Sequence, residues 1–172
     1  MKLDLKRGGD DYSETLHLEE PAEDLEIKAE GATFCKPIGV RLEVTKSQDQ
    51  MICRGKVRTQ VALECSRCLA QFEQSLTSDI QFVIDLAGGK DAEKSEEDGY
   101  FVADTSSPYF EIDDLVRESL ILSLPLKPLC SEDCKGLCPI CGVDLNKKQC
   151  HCVKDEIDPR WEQLKELRKK KS

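Results

Sequence analysis

Eight of the ten cysteines in this 172-residue chain fall into four close pairs, and six of them crowd into the 23 residues from Cys130 to Cys152. Thiols at this density point to disulfides, a redox pair or metal ligation. The opening run Met1-Lys2-Leu3-Asp4-Leu5-Lys6-Arg7 has no apolar stretch of a secretory signal. A reducing, cytoplasmic setting is therefore expected, where disulfides are rare. Cys138-Pro139-Ile140-Cys141 looks like a thioredoxin-type redox motif, but that motif follows a strand of a βαβ unit, and no βαβ pattern is present. A zinc deaminase would need His-x-Glu and a Pro just before its Cys-x-x-Cys pair, and the chain has neither.

Metal ligation remains. In Cys138-Pro-Ile-Cys141-Gly142 two thiolates separated by two residues can face one ion, with Pro and Gly shaping the turn. Eight residues later Cys150 and Cys152 supply a second pair, and four thiolates at about 2.3 Å close a tetrahedral zinc site. Cys65 and Cys68, with Cys130 and Cys134, form two further pairs that could make a second four-thiolate site. Two other arrangements stay open: a single site using Cys134 in place of Cys150 or Cys152, and Cys65 and Cys68 as free thiols. The cofactor expected is zinc, as one ion or two. Cys35 and Cys53 have no close partner and read as small buried hydrophobes. Of the two histidines, His17 reads as structural, and His151, between two proposed ligands, as outward-facing or as a ligand in place of a cysteine. No P-loop, Gly-x-Gly-x-x-Gly or nucleophile elbow occurs. A closed thiolate site leaves no position for an activated water, so no catalytic residue is assigned and the chain is read as not an enzyme.

The sulfur-poor part of the chain has period-two patterning. Ile38, Val40, Leu42 and Val44 alternate with Arg41, Glu43 and Thr45; Val57 to Cys65 alternate likewise; Phe72, Leu76 and Ile80 to Leu86 make a third run. Such alternation predicts antiparallel strands with one wet face. Short pieces around Leu3–Leu5 and Leu16–Leu18 are expected to add to this sheet, and Cys65–Cys68 to sit at a hairpin tip. Residues 88–99 read as a charged, mobile insertion. Tyr100–Val102 and Tyr109–Phe110 read as short strands. Asp113 is expected to cap a helix running to about Leu124, with Ile112, Leu115, Val116, Ser119, Leu120 and Leu122 on its apolar face and Pro125 stopping it. Asp158 at N-cap and Pro159 at N1 predict a final helix striped by Trp161, Leu164 and Leu167. The expected fold is α+β: an antiparallel or barrel-like sheet with one packed helix over residues 1–126, then a zinc-binding module and a C-terminal helix over 127–172. No apolar run reaches 18 residues, so no membrane span is expected.

Charge is unevenly spread. The net charge is −9. Residues 125–172 hold 11 Lys and Arg against 8 Asp and Glu, or +3, which leaves −12 for residues 1–124. Phosphate affinity comes from cations that displace counterions. Nucleic-acid or partner contact is therefore expected at Lys147, Lys148, Arg168, Lys169, Lys170 and Lys171, with Arg67 at the hairpin tip. The acidic body suits a basic partner protein equally well.

Together, Cys65-Ser-Arg-Cys68, the segment Ile112–Pro125, Cys130-x3-Cys134-Lys-Gly-Leu-Cys138-Pro-x-Cys141-Gly and Asp158-Pro-Arg-Trp161 resemble the YceD family of large ribosomal RNA subunit accumulation proteins, in its cysteine-rich, Gram-positive-like form. The resemblance covers nearly the whole chain, most strongly residues 57–168. It implies a bacterial cytoplasmic factor in synthesis, processing or stability of 23S ribosomal RNA. Its partner would be a large-subunit precursor, 23S RNA itself or a ribosomal protein, with no small-molecule substrate. Some relatives lack most of the C-terminal cysteines, which implies zinc as a stabiliser. The rival readings are a zinc-dependent RNA-processing enzyme and a zinc-ribbon adaptor in transcription.

Overall fold

The computed structural model of the protein describes residues 1–9, 11–87, 99–104 and 106–152. The insertion 88–98 and the C-terminal segment 153–172, with its expected helix, Trp161 stripe and basic cluster Arg168–Lys171, lie outside the described residues.

The period-two segments form an open sheet. Its strands are β2 (Tyr12–Glu20), β3 (Ala32–Phe34), β4 (Ile38–Ser47), β5 (Gln50–Glu64), β6 (Gln71–Asp85) and β7 (Tyr100–Val102). The order is β2-β4-β5-β6-β7, with β3 on the same edge of β5 as β4. All pairings are antiparallel except β6 with β7. β5 and β6 pair along 15 residues each and make the spine of the molecule. The N-terminal pieces divide: β2 joins the sheet as expected, whereas β1 (Lys2–Asp4) pairs with β8 (Tyr109–Glu111) in a separate two-stranded ribbon. Phe110 on that ribbon and Phe101 on β7 both pack against Phe82, with ring centroids 6.1 and 6.3 Å away. Burying these rings outweighs extending the sheet by one short strand.

Alternation sets the two faces. Ile38, Val40, Leu42 and Val44 of β4, Met51, Cys53, Val57 and Val61 of β5, and Leu76, Ile80, Phe82 and Ile84 of β6 all point inward and are buried. The helix α1 (Asp113–Ser123) covers this face with Val116 and Leu120. Three details depart from expectation. Ile112, not Asp113, occupies the N-cap, and no side chain caps the helix; the Asp113 carboxylate instead pairs with the Met1 amino group, as does Glu20. Leu122 is 85% exposed, because two residues beyond Leu120 is a rotation of about 200° to the opposite side of the helix. Cys35 is exposed, unlike Cys53, whose thiol burial pushes up to about 12.

β3 and β4 are one strand interrupted at Pro37, which lacks the N–H a ladder needs. The Cys35 N–H donates to the Gln60 carbonyl, and the Thr59 hydroxyl donates to the Lys36 carbonyl at 3.0 Å. Thr59 is the one buried polar side chain among the described residues, and it satisfies an acceptor that the break would otherwise orphan. At the other end, Tyr100 donates to Asp85 and ties β7 to β6; this bond and the Ala87 N–H hold the Asp85 carboxyl below the usual carboxylate range. Thr59→Val, which keeps the shape and removes the donor, is expected to lower unfolding stability by about 1–3 kcal/mol. Urea denaturation beside the wild type checks it.

Candidate metal centre

The β5–β6 hairpin ends in a tight turn, Cys65-Ser66-Arg67-Cys68-Leu69, and a second turn of the same construction lies at Cys138-Pro139-Ile140-Cys141-Gly142. In the first, Leu69 N–H donates to Cys65 O (2.9 Å) and Cys65 N–H to Ala70 O (2.9 Å). In the second, Gly142 N–H donates to Cys138 O (2.9 Å) and Cys138 N–H to Val143 O (2.8 Å). The residue after the second cysteine is left-handed in both, Leu69 at φ 59° and Gly142 at φ 72°. Glycine adopts that conformation without strain, whereas Leu69 holds it at a cost of roughly 1–2 kcal/mol. The shared turn aims the N–H groups of the third and fourth residues at the first sulfur.

Each turn collects a second pair of cysteines. The sulfurs of Cys65, Cys68, Cys130 and Cys134 lie within 4.8 Å of one another, and so do those of Cys138, Cys141, Cys150 and Cys152. Cys65 Sγ is 3.8 Å from Cys134 Sγ, and Cys68 Sγ is 3.6 Å from Cys130 Sγ. A disulfide needs about 2.05 Å, and all ten cysteines are free. Bonds of about 2.3 Å in a tetrahedral thiolate site put sulfurs about 3.8 Å apart along its edges, which is the separation found. Both clusters could therefore hold a metal ion. The grouping keeps the two clusters separate; Cys134 does not join the second, and Cys65 and Cys68 are not isolated thiols.

Electrostatics follows the turn geometry. Burial alone would raise the Cys65 thiol, but N–H groups of Cys130, Cys68 and Arg67 bring it down to about 6. N–H groups of Cys141 and Ile140 bring Cys138 to about 6 against its burial. Cys130 and Cys152, sharing hydrogen bonds with neighbouring sulfurs, are pushed up to about 12. Without an ion, each cluster thus keeps the first sulfur of its turn as a thiolate ready to receive a cation.

Residues around the first cluster lock it. Arg67 donates to the carbonyls of Cys134 (2.8 Å) and Glu132 (3.3 Å), while its own carbonyl accepts from Leu137 N–H. The guanidinium expected to reach a partner thus clamps the Cys130–Cys134 loop to the hairpin. Asn146, which the cysteine spacing did not single out, ties the loop of the second cluster to the first: its Nδ2 donates to Cys134 Sγ at 3.4 Å and its Oδ1 accepts from Lys135 N–H at 2.7 Å. The legible signal was Asp144-Leu-Asn146, a turn pair that folds back through Asp144 Oδ1. Phe72 packs against both the sheet core and the first cluster, whose buried members Cys65, Cys68 and Cys134 also touch Leu129 and Leu137. The second cluster is more open, with Cys141 and Cys152 exposed. Lys147 and Lys148 lie on its exposed surface, Lys147 3.5 Å from Asp144.

Residues 53–168 match the family described as large ribosomal RNA subunit accumulation protein YceD. The chain belongs to the YceD family. The matched span takes in all eight clustered cysteines. Among curated proteins, an uncharacterized protein of Mycobacterium tuberculosis is 30% identical over 128 residues, 73% of this chain and 59% of that one. The chloroplastic large ribosomal RNA subunit accumulation protein YCED homolog 1 of Arabidopsis thaliana is 27% identical over 156 residues, 77% of this chain and 49% of that protein. Its namesake in Zea mays is 26% identical over 155 residues, covering 73% and 52%. The chain therefore spans about half to three fifths of the length of the curated relatives it matches. No solved structure matches. Among the described residues no helix is long and apolar enough to cross a membrane.

Replacing Asn146 with Ala should weaken metal binding at the first cluster 10- to 100-fold, as loss of a group that orients a ligand does. Competition against a chromophoric chelator measures it, with Cys134→Ser as the reference for full loss.

Proposed function

We propose that this protein is a non-enzymatic factor of ribosome biogenesis that supports synthesis, processing or stability of the large-subunit 23S ribosomal RNA. In this reading two zinc ions serve as architecture, one in each sulfur cluster. The observation that carries the role is the family match across residues 53–168. The printed names of the plant relatives agree with it. Two sets of four sulfurs, each set within 4.8 Å, favour zinc and would leave no open ligand position for a reacting water. No observation favours the zinc-enzyme or transcription-adaptor readings.

On this reading, residues 1–126 form a sheet domain whose long hairpin presents half of the first zinc site, and residues 127–172 form a module gripped by that site. The partner is an immature large subunit, met through RNA or through a basic ribosomal protein. Arg168–Lys171, Lys147 and Lys148 are candidate contacts, whereas Arg67 acts through the loop it clamps.

Two measurements test the proposal. Depleting the protein should lower mature 23S RNA relative to small-subunit RNA, and the protein should sediment with large-subunit precursors; unchanged RNA and free sedimentation would refute the role. Elemental analysis should find two zinc ions per chain. A chelator should remove the ion at the exposed second cluster before the one at the buried first cluster, and acidification should release both, since thiolates must stay deprotonated to bind. A metal-free yet fully ordered protein would refute the zinc assignment.

A further inference from the structure

The outer face of the sheet carries a charge pattern that the sulfur clusters do not explain. β5 projects Arg54, Lys56 and Arg58 outward at alternate positions, all exposed, so they follow one another in steps of about 7 Å. Arg41 of β4 lies directly opposite Lys56, and His17 of β2 directly opposite Arg41. Like charges set face to face across strands destabilise a sheet. Glu43 lies opposite Arg54 and Asp79 opposite Lys56, so the like-charge contact that an anion would relieve is Arg41 with Lys56. Glu19, Glu43 and Asp79 share the face, but only Asp79 is engaged, at 3.1 Å from Lys56. Among the described residues, Arg41, Arg54 and Arg58 have no carboxylate within 4.0 Å.

The face is hollow as well as basic. Gly39 adds no side chain between the charged rows, and the surface sinks into a trough of ≈ 1020 Å³. On the inner face Gly55 keeps β4 and β5 close, since a Cβ there would lie 2.3 Å from the Arg41 carbonyl oxygen. No Phe, Tyr or Trp lines the trough, so it lacks the broad rings on which single-stranded bases stack. What it offers is planar guanidinium groups, which take phosphate oxygens in pairs.

We infer that this trough binds the sugar-phosphate backbone of RNA, with Arg41, Arg54, Lys56 and Arg58 as the contacts. The choice of RNA over another polyanion rests on the ribosomal role proposed above; the phosphate chemistry rests on the trough alone. Binding is insensitive to sequence and strongly dependent on salt.

The test is fluorescence anisotropy of the full chain with a labelled mixed-sequence RNA across a series of KCl concentrations. Arg54→Gln with Arg58→Gln should reduce the slope of log affinity against log salt by about 1.4–1.8, from 0.7–0.9 per lost phosphate contact. Affinity at low salt should fall at least roughly tenfold on the same scale. Arg54→Lys with Arg58→Lys should retain the slope, and Lys2→Gln with Lys6→Gln, on the β1 ribbon and its flank, should leave it unchanged. Matching circular dichroism and metal content would show that the variants fold. An unchanged slope in the Gln pair would overturn the inference, as would binding of an acidic peptide in the trough with none of RNA. If depletion leaves 23S RNA untouched while the Gln pair still loses RNA binding, the ribosomal role falls and the trough stands. If depletion lowers 23S RNA while the Gln pair binds and rescues like wild type, the trough falls and the role stands.

Discussion

Four sulfur atoms meet at the end of the β5–β6 hairpin, where one shared ion would tie the sheet to the segment after α1. Cys65 and Cys68 come from the hairpin, and Cys130 and Cys134 from the segment after α1. An ion bridging Cys68 and Cys130 would close a loop of 62 residues in sequence separation, which in the chain-entropy picture would remove about 4 kcal/mol of unfolded-state freedom. The stretch after α1 buries little apolar surface, leaving Leu126 and Ile140 exposed. It contributes Leu129 and Leu137 to a small cluster around the cysteines; Arg67 and Asn146 tie it to the sulfurs, and Pro128 accepts from the Ser66 N–H of the hairpin tip. Without a cross-link there, the hairpin tip and this loop would share few contacts able to offset the entropy of ordering them.

Sulfur spacing and alternation made most of this readable beforehand. Two cysteines two residues apart leave few geometries, so the pairs were visible as sites; their grouping needed the strand lengths that carry Cys65 to the loop. The long strands were legible because their inner faces are almost purely aliphatic. What alternation does not encode is competition among partners. β1 has the same pattern as an edge strand, yet it pairs with β8 because the aromatic cluster of Phe82, Phe101 and Phe110 draws that ribbon inward. Leu122 was misread because a count of apolar residues overlooked its angle around the helix. Asn146 and the clamping role of Arg67 are contacts between distant segments, for which a single chain read in order gives no signal.

The acidic composition also conceals a local exception. A net charge of −9 describes the whole surface, but an open sheet sorts its residues by parity and can gather one sign on one face. Arg54, Lys56 and Arg58 share one face of β5 by their own alternate spacing, and the β4–β5 register sets Arg41 beside them. Charge summed along segments cannot reveal such a patch, whereas charge summed by strand face can.

The two clusters differ in how far the chain must travel to close them. The second draws on residues 138–152, the first on residues 65–134. During vectorial synthesis the hairpin leaves the ribosome with only two of its four sulfurs and must wait for the rest, while the later set completes itself within a few residues. The longer closure costs about 1.4 kcal/mol more in chain entropy. The half-built tip of a nascent chain is thus the interval in which oxidants, stray cations or a chaperone would find these thiols undefended.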